Sequence, residues 1–140
     1  MSIRPYILDA SVAVKWFFPT EENHHKAVQA LELISTNANQ YIVPNFFFLE
    51  VSAVVLRKSL LDQKFVKRAL RATIDLEIIT VPIDNKLLLT AISLAAKHSL
   101  TLYDSIYLTL AREVNGRWLT ADKKAVSKLP AKDYLLLANL

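Results

Sequence analysis

Cysteine is absent from the 140 residues, which excludes disulfides, thiolate nucleophiles and Cys-ligated zinc and makes a reducing compartment, the cytoplasm, the expected setting. Glycine occurs once, so collagen-like and low-complexity architectures are excluded too. Long apolar runs are also missing. Arg4, Pro5 and Asp9 interrupt the apolar stretch near the start, leaving no signal-peptide core, and the longest uncharged run, Leu33 to Leu49, contains Pro44 and several Asn. No membrane segment is expected.

What is present suits an ordinary core. Apolar residues make up 53% of the chain and charged residues 21%, a balance that argues against disorder. A chain of this length can bury roughly two-thirds of its unfolded surface, and no linker, repeat or charge block divides it, so residues 1–140 are expected to form one domain. The net charge of +4 and the pI near 9.4 favour encounter with a polyanion without specifying one.

Short apolar runs alternate with segments of helical period, the pattern of βα units around a parallel sheet. Strands are expected at Tyr6 to Asp9, Tyr41 to Val43, Glu77 to Val81, Arg117 to Thr120 and Tyr134 to Leu137. Between them, Ala27, Ala30, Leu31 and Ile34 recur at i, i+3, i+4, i+7, and Leu88, Ala91, Ile92 and Ala95 repeat that spacing, so both segments read as amphipathic helices. Pro19 stops a short helix after the first strand, Thr20 can cap the next, Pro44 with Asn45 opens a third, and Asn115 with Gly116 closes a helix beginning near Tyr103.

Most of the 13 acidic residues, Glu21, Glu22, Glu32 and Asp62 among them, occupy unremarkable polar positions. Four do not. Asp9 ends an apolar strand, Glu50 lies inside an apolar helical segment, Asp104 lies in Leu-Thr-Leu-Tyr-Asp-Ser-Ile-Tyr-Leu, and Asp122 follows the strand Trp-Leu-Thr. The helix of Glu50 is apolar on nearly every face and is expected to be largely buried, where a lone carboxylate is strongly penalised unless paired or bound to metal. Asp9 and Asp122 fall at the carboxyl ends of strands, which line the crevice where open parallel sheets bind ligands. If all four converge, two such charges about 4 Å apart repel by roughly 4 kcal/mol at an effective dielectric of 20. One or two Mg²⁺ or Mn²⁺ ions neutralise the cluster with the oxygen ligands they prefer. Such an ion also makes a nucleophile of bound water and stabilises the charge that develops in phosphodiester cleavage. Asp9, Asp104 and Asp122 each stand near a helix start, so singly capping and ligation both remain open. Glu50 could instead pair with Arg57 or Lys58, although these lie two turns on, beyond the usual i+3 and i+4 reach.

With these residues in place the chain resembles the PIN-domain family, and within it the VapC-type toxins of toxin-antitoxin pairs. Leu8-Asp9-Ala10-Ser11 with Val12 to Trp16 is similar to the first family motif, Pro44 to Glu50 to the second, Tyr103-Asp104-Ser105 to the third and Leu119-Thr120-Ala121-Asp122 to the fourth. The resemblance spans essentially the whole chain. It implies an α/β, PIN-like three-layer fold, a central parallel sheet of four to five strands flanked by helices, and Mg²⁺- or Mn²⁺-dependent endoribonuclease activity. It further implies that Asp9, Glu50, Asp104 and Asp122 are metal ligands, directly or through water, with Thr120 a supporting hydroxyl and Ser11 a second. A homodimer and a cognate antitoxin are the partners it implies.

Lys15, close to Asp9 in sequence, is a candidate to touch RNA. Lys64, Lys67, Arg68 and Arg71 recur at i, i+3, i+4, i+7, either a phosphate track or a solvated face. The rings of Trp16-Phe17-Phe18 and Phe46-Phe47-Phe48 are either core or in part an association surface. His24, His25 and His98 are read as solvent-exposed, without a role. Two rivals stand beside the nuclease reading. An aspartyl-nucleophile phosphotransferase or phosphatase is disfavoured because that chemistry wants Asp-x-Asp and Ser11 stands at the second position; a non-catalytic binding module would keep the acids as structure.

Overall fold

The computed structural model describes residues 4–140. In chain order it runs β1 (Tyr6–Leu8), α1 (Ala10–Val14), α2 (His24–Thr36), β2 (Tyr41–Pro44), α3 (Phe47–Lys58), α4 (Gln63–Ile74), β3 (Ile79–Val81), α5 (Asn85–His98), α6 (Leu102–Glu113), β4 (Arg117–Thr120), α7 (Lys123–Val126) and β5 (Tyr134–Leu136). All five expected strands form, into one parallel sheet of order β3-β2-β1-β4-β5.

Three layers follow from the period of two along each strand. Leu8, Tyr41, Val43 and Leu119 join one core with Val12, Ile34, Phe47, Val51 and Val55, under α1 to α4. Their alternates Ile7 and Trp118 join a second core on the opposite face, with Leu87, Ala91, Tyr107 and Leu108 of α5 and α6. The chain builds outward from β1 to β2 and β3, then returns to place β4 and β5 on the other side. That reversal leaves the crevice of an open α/β sheet between the carboxyl ends of β1 and β4.

The one glycine secures the entry to β4. Asn115 takes the left-handed conformation after α6, with φ of 52°, and Gly116 then passes so close to Pro5 that a Cβ there would lie 2.4 Å from the Pro5 carbonyl oxygen. The Arg117 N–H donates to that same oxygen at 3.0 Å, starting the β1–β4 ladder.

Three expectations are corrected. Thr20 does not cap α2: Asn23 stands there in the left-handed conformation, without a side-chain cap. On α5 the buried positions are Leu87 and Ala91, while Ile92 is 49% exposed, because the helix turns Leu87 rather than Ile92 toward α6. Nor is α3 buried all round. Phe47, Val51 and Val55 face the core, whereas Leu49 is 71% exposed, and the turn that follows leaves Leu60 and Leu61 at 88% and 73%.

The six aromatic rings pack inward, fully or half buried, Trp16 on Phe17, Phe18 on Phe65, Phe46 on Tyr103 and Tyr107, and Phe47 on Phe48. Among the described residues no helix is long and apolar enough to cross a membrane.

Candidate metal and nuclease site

Asp9 leaves β1 as the N-cap of α1, its side chain accepting from the Ser11 N–H at 3.0 Å. Capping is thus one of its functions, but only through Oδ1. Oδ2 accepts from Trp118 Nε1 and Thr120 Oγ1, each at 2.8 Å. A carboxylate offers about four lone-pair sites, so three are taken and one, on Oδ1, remains for a ligand. Burial holds the Asp9 carboxyl above its usual range, against the lowering effect of those hydrogen bonds.

Thr120 is the hub of a directed chain of hydroxyls. Its proton goes to Asp9, so the Ser11 hydroxyl, 3.3 Å away, must donate to it. Ser11 Oγ in turn accepts from the Ala121 N–H at 3.0 Å, and Thr120 Oγ1 accepts from the Asp122 N–H at 3.1 Å. Each hydroxyl both donates and accepts, an arrangement that polarises the chain toward Asp9. Thr120 is fully buried and so acts on Asp9 and Asp122 rather than on anything in solution.

Glu50 projects from the first turn of α3, half buried, and accepts from the Tyr107 hydroxyl at 2.7 Å. Tyr107 stacks nearly parallel on Trp118, ring centroids 6.2 Å apart. Two adjacent aromatics, one from α6 and one from β4, therefore each give their single polar hydrogen to one acid. Burial raises the Glu50 carboxyl, the Tyr107 hydrogen bond opposes this, and the charges of Asp9 and Asp104 add to it. Burial, followed by the charges of Asp9 and Glu50, pushes the Tyr107 phenol up, so it remains a donor.

Asp104 lies in the first turn of α6 but does not cap it: Thr101 is the cap and accepts from the Asp104 N–H at 3.1 Å. Its carboxyl is pushed up to about 6, first by burial and then by Asp9 and Asp122. Asp122 does cap, accepting from the Ala125 N–H at 3.0 Å through Oδ1; Oδ2 has no such engagement.

The four acids line one cavity of about 370 Å³, together with Ser11 and Lys15. Among the described residues the ion pairs are Lys58–Glu21 and Arg112–Asp133, so none of the four has a cationic partner. Lys58 reaches Glu21 and the face of Phe18, not Glu50. Lys15 is anchored on the Glu22 carbonyl at 2.8 Å. As the side chains lie, no three His, Asp or Glu groups among the described residues are gathered tightly enough to enclose an ion by themselves. Residues of this chemistry suit a hard cation that keeps part of its water shell: Mg²⁺ is typically held by one or two carboxylates directly, the rest of its ligands being waters or substrate oxygens.

Sequence reasoning did not single out Tyr107 or Trp118, and it assigned His98 no role. The Trp118 bond to Asp9 spans 109 positions and the Tyr107 bond to Glu50 spans 57, and neither ring differs in sequence from any other core aromatic. The histidines are not uniformly solvent-exposed: His24 Nδ1 lies 2.6 Å from the Lys15 carbonyl oxygen, and half-buried His98 has an Nε2 without a partner among the described residues.

A family model described as PIN domain matches residues 6–131. Ribonuclease VapC3 of Pyrobaculum aerophilum is 31% identical over 134 residues, covering 89% of this chain and 95% of that protein. In structure, the chain is similar to VapC20 of Mycobacterium tuberculosis, described as a Sarcin-Ricin loop cleaving toxin, with a TM-score of 0.73 at 11% identity over 91% of this chain and 97% of that one. A toxin-antitoxin complex from Klebsiella pneumoniae gives a TM-score of 0.67 at 19% identity over 96% and 99% of the two chains. At those identities the structural likeness bears on the fold.

Proposed function

The chain belongs to the PIN-domain family, and from that premise we propose that it is a metal-dependent endoribonuclease, the toxin of a toxin-antitoxin pair, acting in the cytoplasm as one nuclease domain over residues 1–140. The observation that carries the reading is the set of four carboxylates that share one cavity without a cationic partner among the described residues. A structural set of acids would be expected to carry compensating Arg or Lys; this one is arranged so that a divalent ion supplies the compensation.

Asp9, Glu50, Asp104 and Asp122 would hold the ion, Mg²⁺ or Mn²⁺, Asp9 through its one free lone pair on Oδ1 and Glu50 through the oxygen not bonded to Tyr107. When bound, the ion supplies a water of lowered pKa and charge stabilisation at the cleaved phosphate. The rest is the work of the chain. Trp118 and Thr120 fix the Asp9 carboxylate against rotation, and Tyr107 does the same for Glu50. Thr120 also fixes the backbone from which Asp122 projects, which makes it a positioning residue. The Ser11 hydroxyl is engaged by Thr120 and Ala121, so it shapes the cavity wall that RNA would meet. Lys15, at the rim, is placed to meet a phosphate oxygen by exchanging its backbone carbonyl partner.

VapC3 is named a ribonuclease, and the Klebsiella neighbour is a toxin-antitoxin complex, which supports an RNA substrate and an antitoxin partner here. The apolar face for such a partner, or for a second copy, is the exposed run Leu49, Leu56, Leu60 and Leu61. Leu60 and Leu61 hold positive φ of 59° and 65°, a strained conformation for leucine, on side chains that gain nothing from the folded chain.

The test is cleavage of RNA by the purified chain in Mg²⁺ or Mn²⁺. Chelation and Asp9→Asn should each abolish cutting while the circular-dichroism spectrum stays folded. Cutting that survives both would reject the mechanism. Calorimetry with Mn²⁺ separates the enzyme from a non-catalytic module, since acids serving only as helix caps would not bind the ion.

A further inference from the structure

A second cavity, of about 310 Å³, opens on the other side of the acids. It shares Asp104 and Asp122 with the first, and its remaining wall includes His98, Thr101, Lys124 and Lys128. We infer that this cavity is the subsite that seats the phosphodiester backbone of the RNA strand next to the bond being cut, an inference that rests on the nuclease reading above.

Charge is the first reason. An RNA strand that approaches four unpartnered carboxylates is repelled, and something beside them must offset the repulsion. The cations of the first cavity are already engaged, Lys58 with Glu21 and Lys15 with the Glu22 carbonyl. Lys124 and Lys128 are exposed and take part in no ion pair among the described residues. One lies on α7 and the other four positions on, in the turn that follows, so both can face the same opening.

Hydrogen-bond capacity is the second reason. Thr101 Oγ1 accepts from the Asp104 N–H and keeps its own proton for a further acceptor. His98 lines the same wall, although its Nε2 is buried away from the opening. A phosphate oxygen accepts from a threonine hydroxyl and from ammonium groups alike, so one anionic group would suit Thr101, Lys124 and Lys128 together.

Continuity with the acids is the third reason, and it distinguishes this cavity from the basic face of α4. Lys64, Lys67, Arg68 and Arg71 do line a concavity of their own, but it has no residue in common with either cavity at the acids. A phosphate held there has no shared wall with the cutting site.

The experiment is equilibrium binding of a short fluorescein-labelled single-stranded RNA, read by anisotropy across a NaCl series with EDTA present so that nothing is cut. The Lys124→Ala, Lys128→Ala double variant is compared with the native chain and with Lys67→Ala, Arg71→Ala, which removes the same charge from α4. All four positions are exposed, so folding is not at stake. At about 0.7 per phosphate contact on single strands, the first pair should lower the slope of log K against log salt by about 1.4 and weaken low-salt binding by roughly tenfold, whatever the RNA sequence. The α4 pair should leave the slope near its native value.

An unchanged slope in the Lys124, Lys128 pair, an equal fall in the α4 pair, or no RNA binding by the native chain would each overturn the subsite. Cutting in Mn²⁺ is scored separately. A native chain that binds with the expected slope difference but never cuts leaves the subsite standing and removes the nuclease reading; one that cuts without the difference does the reverse.

Discussion

Asp9 is buried, its carboxyl raised by that burial against the effect of its hydrogen bonds, and bonded on both oxygens. In Asp9→Asn, whichever way the amide turns, its NH₂ must face at least one donor that the carboxylate accepted. The expected cost is about 1–3 kcal/mol for the donor left unpaired, offset by removal of a buried charge, so a small change in melting temperature should accompany complete loss of cutting. Trp118→Phe tests positioning. It keeps the ring under Tyr107 but removes the hydrogen that holds Oδ2, so Mn²⁺ affinity measured by calorimetry should fall by roughly ten- to a hundredfold, as for other residues that orient a ligand. A purely structural role for Trp118 would lower the melting temperature and leave the affinity of the folded protein unchanged.

At the scale of elements, the joint between α6 and β4 leaves no room for a side chain at Gly116. Gly116→Ala drives a methyl against the Pro5 carbonyl oxygen and should destabilise the chain by about 1–3 kcal/mol, in the range of overpacking elsewhere, seen as a lower urea midpoint. The opposite sign is expected in the turn between α3 and α4. Leu61→Gly relieves a left-handed leucine, worth about 1–2 kcal/mol, against an entropic cost of about 0.5–1 kcal/mol, so the isolated chain should become slightly more stable while losing affinity for any partner that covers this face.

The elements that could be read from sequence were those in which one local signal dominates. The Tyr-Ile-Leu and Arg-Trp-Leu-Thr runs announce β1 and β4 by apolar content and their carboxyl-end aspartates, and those aspartates do flank the crevice. Thr20 misled because an ordinary cap residue lay close to a helix whose start is set instead by the left-handed turn at Asn23. Helix α3 misled because its composition is apolar all round, whereas only one face meets the sheet; nothing in the run of residues distinguishes Leu49 from Val51. The partners of the acids could not be read at all, since Trp118 and Tyr107 reach them only after the sheet is assembled.

For the whole molecule, Asp9, Glu50 and Asp104 make stability depend on pH in a definite direction. Burial raises Asp9, Glu50 and Asp104 in the folded state, and repulsion from neighbouring acids adds to it at Glu50 and at Asp104, which reaches about 6. Across the window from the ordinary carboxylate range to about 6, the folded chain binds protons that the unfolded chain has already released. Stability contributed by these groups is therefore full below the ordinary range and is lost as pH rises through the folded values. Without metal, the chain should melt at a lower temperature at neutral pH than near pH 5, other groups being equal. Mn²⁺ should restore the difference at neutral pH and have little effect below about pH 4, where protons already compete for Asp9, Glu50 and Asp104. A Mn²⁺ effect of equal size at both pH values would show that the ion binds elsewhere.

The position of β1 at the centre of the sheet has one more outcome, in the order of biosynthesis. A ribosome makes Asp9 more than a hundred residues before its neighbours across the crevice, Trp118, Thr120 and Asp122. At about 5–20 residues per second, that interval is on the order of ten seconds. A nascent chain still tethered to the machine that makes it thus cannot bring these acids together until β4 has been made, a delay that comes from the strand order alone.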